Sequence, residues 1–231
     1  MSRENMIEVG KAISEYPVIF VHGIAAGNEK WKETALRYGS ASHFEMKWGE
    51  NDSIIDNYDF QNKKRQLWRI SYYSDNIIDE GLRGNLEKYS MRLEKMIEKI
   101  KIYSKQEMVI IIAHSMGGLI SRRYMSMSDK NNNSVYKIVT VATPHGGEKI
   151  MPPIIGGQIR DMRVNSTFIK RLDKDWSCLK IIRERWGVIG AIDTKNILNK
   201  KINKNATDSA GPGFVTINSA IPHGEWKRLV D

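Results

Sequence analysis

A single serine lies in a run of small residues at positions 113–117, Ala-His-Ser-Met-Gly. The run follows the pattern G-x-S-x-G, with alanine in place of the first glycine. Small residues two positions before and after a serine let a strand turn sharply into a helix, which leaves the serine oxygen exposed in a strained conformation. The pattern therefore predicts that Ser115 is a nucleophile. The alternative is a serine that only caps the helix after it.

A nucleophile that attacks a carbonyl group needs hydrogen-bond donors for the negative oxygen that develops. The glycine-containing turn at residues 22–27, directly after the apolar run at 18–21, can direct one backbone N–H into the site. The residue after the nucleophile supplies a second N–H at the N-terminus of its helix. We therefore assign the oxyanion hole to the backbone N–H groups of Ile24 and Met116. The alternative for residues 22–27 is an ordinary turn.

Strands and helices alternate along the chain in the arrangement that such a site requires. Apolar residues at spacings of three and four predict an amphipathic helix over 85–103, and a second helix over 116–127 follows the serine. Asn165 is the predicted N-cap of a later helix. The pattern is typical of a parallel sheet covered on both faces, with sites at the carboxyl ends of its strands. The predicted strands cover residues 18–21, 67–73, 108–113, 135–142, 186–192 and 213–217, and a surface loop is predicted over 196–208.

Three segments resemble lipases and esterases of the α/β-hydrolase superfamily. Residues 22–27 (HGIAAG) resemble the oxyanion segment, and residues 113–118 (AHSMGG) resemble the nucleophile elbow of small Bacillus lipases. Residues 135–147 (VYKIVTVATPHGG) are similar to the next strand of triacylglycerol lipases and GPI inositol-deacylase-like proteins. The resemblance extends over roughly residues 17–150 and implies an α/β-hydrolase fold, a three-layer sandwich around a mostly parallel central sheet. The sequence shows no linker that would divide it, so a single domain over residues 1–231 is expected. The resemblance also implies hydrolysis of lipid or small acyl esters by a Ser-Asp-His triad, without a metal or other cofactor.

In this family the acid of the triad follows the nucleophile along the chain and precedes the histidine. The resemblance places the acid just before the β-like segment at 213–217, where a strict alignment has Pro212, so Asp208 fills this role only with a local insertion. Asp193, directly after the predicted strand at 186–192, is the alternative. Each of the two could also be a loop aspartate that caps a turn. The acid is therefore assigned to Asp208, with Asp193 kept open.

The chain has five histidines, and the family's order favours the last of them, His223, as the general base. The resemblance therefore implies a triad of Ser115, Asp208 and His223. The alternative is that the catalytic histidine lies beyond Asp231. The other four belong to earlier segments. His22 lies in the oxyanion turn, and His43 precedes the serine in the chain. His114 lies beside the serine with its side chain directed away, and His145 is predicted to form hydrogen bonds in the loop after residues 135–142.

The formal net charge of +9 is consistent with weak association with an anionic membrane surface, or with a lysine-rich solvated face. The basic residues are not interleaved with an aromatic platform, so a nucleic-acid partner is not expected. The single cysteine, Cys178, cannot form an internal disulfide. No apolar run is long enough to span a bilayer and no signal peptide is recognised, so a cytoplasmic protein is expected, with a secreted mature form as the alternative.

Two other functions share the same motifs. A catalytically impaired α/β-hydrolase domain that binds a lipid or a protein partner is the alternative if no histidine reaches Ser115. An acyltransferase or amidase could use the same elbow, because all these reactions pass through one acyl-enzyme intermediate.

Overall fold

The computed structural model describes residues 16–37, 41–60, 65–75, 80, 83–148, 156–179 and 185–190. The predicted strand at 213–217 and the predicted loop at 196–208 lie outside these residues. Within them, the strands form one seven-stranded sheet in the order β3-β2-β4-β1-β5-β6-β7. All neighbouring strands run parallel except the edge pair β2 and β3. The strands are β1 (Val18–Val21), β2 (Ser42–Trp48), β3 (Ile54–Asp56), β4 (Gln66–Ser71), β5 (Val109–His114), β6 (Val135–Val141) and β7 (Trp186–Ile189).

The centre of the sheet is built from apolar strands that are buried on both faces. β1 lies between β4 and β5, and Val21 is opposite both Ile70 and Ala113. Continuous β-branched and apolar runs suit such positions, since neither face meets water. Because the strands are parallel and in register, β1 and β5 end side by side, at the edge of the sheet that the carboxyl ends of its strands form. The turn after Val21 and the turn after His114 therefore begin as neighbours.

Helices cover both faces of the sheet, which confirms the predicted layered architecture for the described residues. α2 is held at its start by Asn85, whose side chain accepts a hydrogen bond from the Lys88 N–H at 2.8 Å, and it ends at Lys105 in a left-handed conformation. The helices are α1 (Lys32–Leu36), α2 (Leu86–Ser104), α3 (Met116–Met127), α4 (Asp129–Asn133), α5 (Gly157–Asp161) and α6 (Thr167–Ser177), with 3-10 turns at Asn28–Trp31 and Glu50–Asp52.

The two faces of β1 show how the layers are separated. Ile19 and Val21 belong to the large core that α2, α3 and α6 form on one face. Val18 and Phe20 point to a smaller core on the opposite face, beneath α1. Alternate residues of one strand thus pack against different helices, as the period of two along a strand requires.

Several predicted boundaries need correction. β4 ends at Ser71 rather than at residue 73, and β7 ends at Ile189 rather than at 192. The N-cap of α6 is Ser166, whose hydroxyl accepts a hydrogen bond from the Ile169 N–H at 3.1 Å. The predicted cap, Asn165, instead adopts a left-handed conformation with φ of 63°. Asparagine tolerates that conformation better than most residues, so it turns the chain into the cap.

Candidate active site

Ser115 forms a sharp elbow between β5 and α3. Its backbone has φ of 53° and ψ of −125°, a conformation that residues other than glycine rarely adopt. The Ser115 N–H donates to the Val141 carbonyl at 2.8 Å, and the Ser115 carbonyl accepts from the Gly118 N–H at 3.0 Å. These two hydrogen bonds hold the strained residue from both sides, as a nucleophile elbow requires.

The Ser115 side chain does not cap the helix that it precedes. It occupies the N-cap position of α3, yet its hydroxyl accepts no hydrogen bond from the amides of the first helical turn. Ser128 and Ser166, at the starts of α4 and α6, both make such a bond. The capping interpretation of Ser115 is therefore wrong, and its hydroxyl is left for another partner.

Glycines bring the turn after β1 against the elbow. A Cβ built on Gly117 would lie 2.4 Å from the His22 carbonyl oxygen, so a larger residue cannot occupy this position without moving β1. A Cβ built on Gly23 would lie 2.9 Å from the Cβ of Ser115. The small residue that the sequence pattern requires at 117 is thus explained by the close approach of the neighbouring strand's end.

A further glycine brings in the loop after β6. A Cβ built on Gly118 would lie 2.0 Å from the Thr143 hydroxyl oxygen. Three segments therefore meet at one edge of the sheet: the turn after β1, the elbow and the loop after β6. Sequence reasoning did not assign a role to Gly118, although the paired glycines at 117 and 118 were a visible signal of two close contacts.

The two predicted oxyanion donors lie beside the serine. Met116 is the first residue of α3, and Ile24 directly follows Gly23, which contacts Ser115. As the first residue of α3, Met116 has an N–H that finds no partner within the helix. The N-terminus of α3 adds a positive field at this point. This arrangement can stabilise a negative oxygen next to the Ser115 hydroxyl.

His22 is buried and neutral. Its pKa is lowered to about 4, mainly by burial. Its Nδ1 lies 2.7 Å from the Gly23 carbonyl oxygen, and its ring stacks on Tyr72 at 4.0 Å. A carbonyl oxygen can only accept, so Nδ1 carries the ring proton and donates it. The His22 side chain therefore stabilises the turn after β1, as expected for a member of the oxyanion segment.

His145 is buried among polar partners, which confirms its predicted role in loop hydrogen bonding. Its Nε2 lies 3.0 Å from the Thr140 hydroxyl, and its carbonyl accepts from Arg122 at 3.3 Å. Burial lowers the pKa of His145 well below its ordinary value, and the charge of Arg122 acts in the same direction. Arg122 also donates to Asp173 on α6 at 3.1 Å. The cluster fixes the loop after β6 to α3 and α6.

The same cluster borders a pocket of about 370 Å³ between α3, α6 and β7. The Arg122 guanidinium lies over the Trp176 ring at 4.8 Å and over the Trp186 ring at 5.8 Å. The buried cation is thus balanced by one carboxylate and two aromatic faces, so its role within the described residues is to hold helices and loop together.

The predicted acid and base lie outside the described residues, as does the alternative acid, Asp193. The end of β7 lies four residues before Asp193 in the sequence. β7 ends at Ile189, whose carbonyl accepts from the Ala142 N–H at 2.8 Å, so the end of β7 lies beside the loop after β6. This is the same edge of the sheet as Ser115. Asp208 and His223 remain predictions.

Within the described ranges, no group of three His, Cys, Asp or Glu side chains is placed to hold a metal ion. Across those same ranges, no helix combines the length and apolar character needed to cross a bilayer.

Comparison with known proteins agrees with this geometry. The family model described as the PGAP1-like alpha/beta domain matches residues 12–176. The chain belongs to this family. The matched residues include β1, the elbow, β6 and all but the last residue of α6, whereas β7 lies beyond the match. The mostly parallel sheet with helices on both faces confirms the predicted α/β-hydrolase fold class.

Relatives with described functions share part of the chain. GPI inositol-deacylase of Candida albicans is 28% identical over 149 residues, which cover 63% of this chain and 36% of that protein. Triacylglycerol lipase 2 of Saccharomyces cerevisiae is 34% identical over 77 residues, or 31% of this chain and 23% of the lipase. The matched part of this chain thus spans about a third or less of each relative's length.

A solved structure shows the same fold. The product of the gene lin2722 from Listeria innocua superposes with a TM-score of 0.53 at 17% sequence identity. The superposition covers 70% of this chain and 64% of that protein.

Proposed function

We propose that this chain is a serine hydrolase that cleaves carboxylic esters of lipids or of small acyl compounds. The observation that supports it most directly is the state of Ser115. Its backbone is strained at φ of 53°, its hydroxyl does not cap α3, and the residue is 8% exposed at the sheet edge. Strain of this kind persists where function requires a side chain in one position.

The reaction begins with attack of the Ser115 hydroxyl oxygen on the ester carbonyl carbon. The carbonyl oxygen becomes negative and accepts hydrogen bonds from the N–H groups of Ile24 and Met116. His223 takes the serine proton and returns it to the leaving alcohol, while Asp208 orients the imidazole and stabilises its charged form. Water then attacks the acyl-enzyme by the same steps and releases the carboxylic acid.

The substrate class is supported by the relatives. The names of the two curated relatives describe a lipase of triacylglycerol and a deacylase of GPI inositol, and both descriptions concern acyl groups on lipids. The net charge of +9 favours association with an anionic membrane surface, where such substrates would be found. No metal or other cofactor has a part in the proposed chemistry.

A fluorophosphonate probe tests the nucleophile without a choice of substrate. We expect covalent labelling at Ser115, located by mass spectrometry, and hydrolysis of p-nitrophenyl acyl esters. Ser115→Ala should lose both. Ser121→Ala is the matched control, because Ser121 lies on the same helix and its hydroxyl donates to the Gly117 carbonyl at 2.8 Å. Esterase activity that survives Ser115→Ala in purified protein would refute the assignment.

The same assay decides between the candidate acids and tests the base. We expect Asp208→Ala to lower kcat by about 10⁴-fold and His223→Ala by about 10⁶-fold, as loss of the triad acid and base does. Asp193→Ala should retain activity. A large loss in Asp193→Ala with normal activity in Asp208→Ala would transfer the acid role to Asp193. Normal turnover in His223→Ala would exclude His223 as the base.

A further inference from the structure

Tyr72 is buried directly after the end of β4, with its hydroxyl at the turn that carries Ile24. The hydroxyl donates to the His22 carbonyl oxygen at 2.8 Å and lies 3.4 Å from the Gly23 carbonyl oxygen. A phenol group without exposure to water needs such a partner. Its partners here are the two peptides that precede Ile24.

Tyr72 also fixes the ring of His22. The two rings stack with centroids 4.0 Å apart and planes 16° from parallel. The stacked imidazole donates from Nδ1 to the Gly23 carbonyl at 2.7 Å. Tyr72 therefore controls the Gly23 carbonyl in two ways, through its own hydroxyl and through the orientation of His22.

The Gly23 carbonyl and the Ile24 N–H belong to one planar trans peptide, so they point in opposite directions. A donor that holds the carbonyl on one side therefore aims the N–H to the other side. The Cα of Gly23 lies against Ser115, which places this peptide beside the nucleophile. The direction of the Ile24 N–H is thus set by the group that holds the Gly23 carbonyl.

Tyr72 is itself held in place. Its backbone carbonyl accepts from Arg92 on α2 at 2.8 Å, and Arg92 forms a buried ion pair with Glu80. The rings of Tyr73 and Tyr89 pack on it at 4.9 and 5.0 Å. The phenol hydroxyl thus has little freedom to leave the His22 and Gly23 carbonyls.

We propose that Tyr72 is the positioning residue of the oxyanion hole, acting through His22 and the Gly23 peptide on the Ile24 N–H. The assignment rests on the proposed function, because it needs an oxyanion at Ser115. It explains why the residue after β4 carries a hydroxyl within an aromatic cluster. A phenylalanine would fill the same space but leave the His22 carbonyl without this donor, and the Gly23 carbonyl would be held by the His22 ring alone.

The test compares Tyr72→Phe with Tyr89→Phe. Both changes remove one buried hydroxyl from the same cluster, but the Tyr89 hydroxyl faces the Glu80 carbonyl at 3.4 Å and not the turn. We expect Tyr72→Phe to lower kcat for p-nitrophenyl ester hydrolysis by about 10- to 100-fold with little change in KM, less than the loss of an oxyanion donor itself. Tyr89→Phe should keep the wild-type kcat.

A second readout separates positioning from a general loss of structure. An alkyl trifluoromethyl ketone forms a tetrahedral adduct with the serine, and the adduct's oxygen occupies the oxyanion hole. Its affinity should fall in Tyr72→Phe by the same factor as kcat/KM, and remain unchanged in Tyr89→Phe. Equal kcat in the two variants, or a lowered kcat with unchanged ketone affinity, would overturn the assignment.

Arg92→Lys provides an independent variant in case Tyr72→Phe does not fold. It keeps a positive charge for Glu80 but loosens the hold on the Tyr72 carbonyl, so kcat should fall in the same way and to a smaller extent. A folded Arg92→Lys protein with wild-type kcat and ketone affinity would contradict the proposal. Failure of the wild-type protein to label at Ser115 would overturn the proposed function and this assignment with it.

Discussion

The Cα of Gly23 lies so close to Ser115 that a Cβ on Gly23 would be 2.9 Å from the serine Cβ. The same added atom would lie 3.0 Å from the His114 Nδ1. Gly23 does not have a positive φ. The position therefore requires glycine only because a side chain would not fit there. This contact sets the distance between the nucleophile and the peptide that carries the Ile24 N–H.

Gly23→Ala should therefore damage catalysis more than it damages the fold. The added methyl group can be accommodated only if the turn moves away from Ser115, which displaces the Ile24 N–H. We expect kcat to fall by about 10²-fold, the loss seen when one oxyanion donor is removed. Ester hydrolysis by purified protein, with the fraction of competent sites measured by fluorophosphonate labelling, is the measurement.

Gly27→Ala is the matched control for Gly23→Ala. Gly27 belongs to the same turn, but a Cβ built there meets no atom within 4 Å. Its backbone, at φ of −136°, also suits alanine. We expect wild-type kcat in this variant. Equal losses at the two glycines would mean that turn flexibility, rather than the approach to Ser115, governs activity.

Ser115→Gly should be inactive but should not be less stable than Ser115→Ala. Glycine adopts φ of 53° and ψ of −125° freely, so it removes strain that costs about 1–3 kcal/mol in other residues. The greater freedom of unfolded glycine offsets about 1 kcal/mol of this gain. We expect the free energy of unfolding of Ser115→Gly to exceed that of Ser115→Ala by about 1 kcal/mol in urea titrations.

Ser121 supplies the comparison for that prediction. It lies within α3, where glycine is about 1 kcal/mol less stable than alanine. Ser121→Gly should therefore unfold more easily than Ser121→Ala, the reverse of the order at Ser115. The same order at both positions would show that the elbow carries no strain.

The central elements were predictable because their signals are local. The bounds of β1 and α3 agree with the prediction residue for residue, since an apolar run and the serine motif mark both. β2 was missed, although Phe44, Met46 and Trp48 alternate with polar residues along it. This alternation is the period-two signal of a half-buried strand, so β2 was predictable, whereas its antiparallel partner β3 is only three residues long.

The site was predictable to the extent that its parts are contiguous in sequence. Ser115 and the loop after β6 follow strands whose carboxyl ends must meet at one edge of a parallel sheet. The role of Tyr72 could not be predicted, because its hydroxyl meets a carbonyl 50 residues away along the chain. A side chain that acts on a distant backbone leaves no periodic pattern. For the acid and the base, only chain order was available as a signal.

The buried His22 should make the protein less stable as the pH falls. Its pKa is about 4 in the folded chain, mainly because of burial, and near 6.5 when unfolded. Between these values the unfolded chain binds more protons, so the free energy of unfolding decreases as pH is lowered through this window. At pH 4 the loss from His22 is about 3 kcal/mol relative to pH 7. The buried His145 acts in the same direction.

His22→Asn isolates this contribution, because an asparagine amide can still donate to the Gly23 carbonyl but does not titrate. We expect its urea unfolding free energy to fall less steeply than that of the wild-type protein between pH 6.5 and 4, by about one bound proton. His43→Asn is the control, since His43 is only partly buried on β2 and should change the slope less. Parallel pH profiles for wild-type and His22→Asn proteins would mean that His22 takes up its proton without unfolding, and that the turn tolerates a charge at its base.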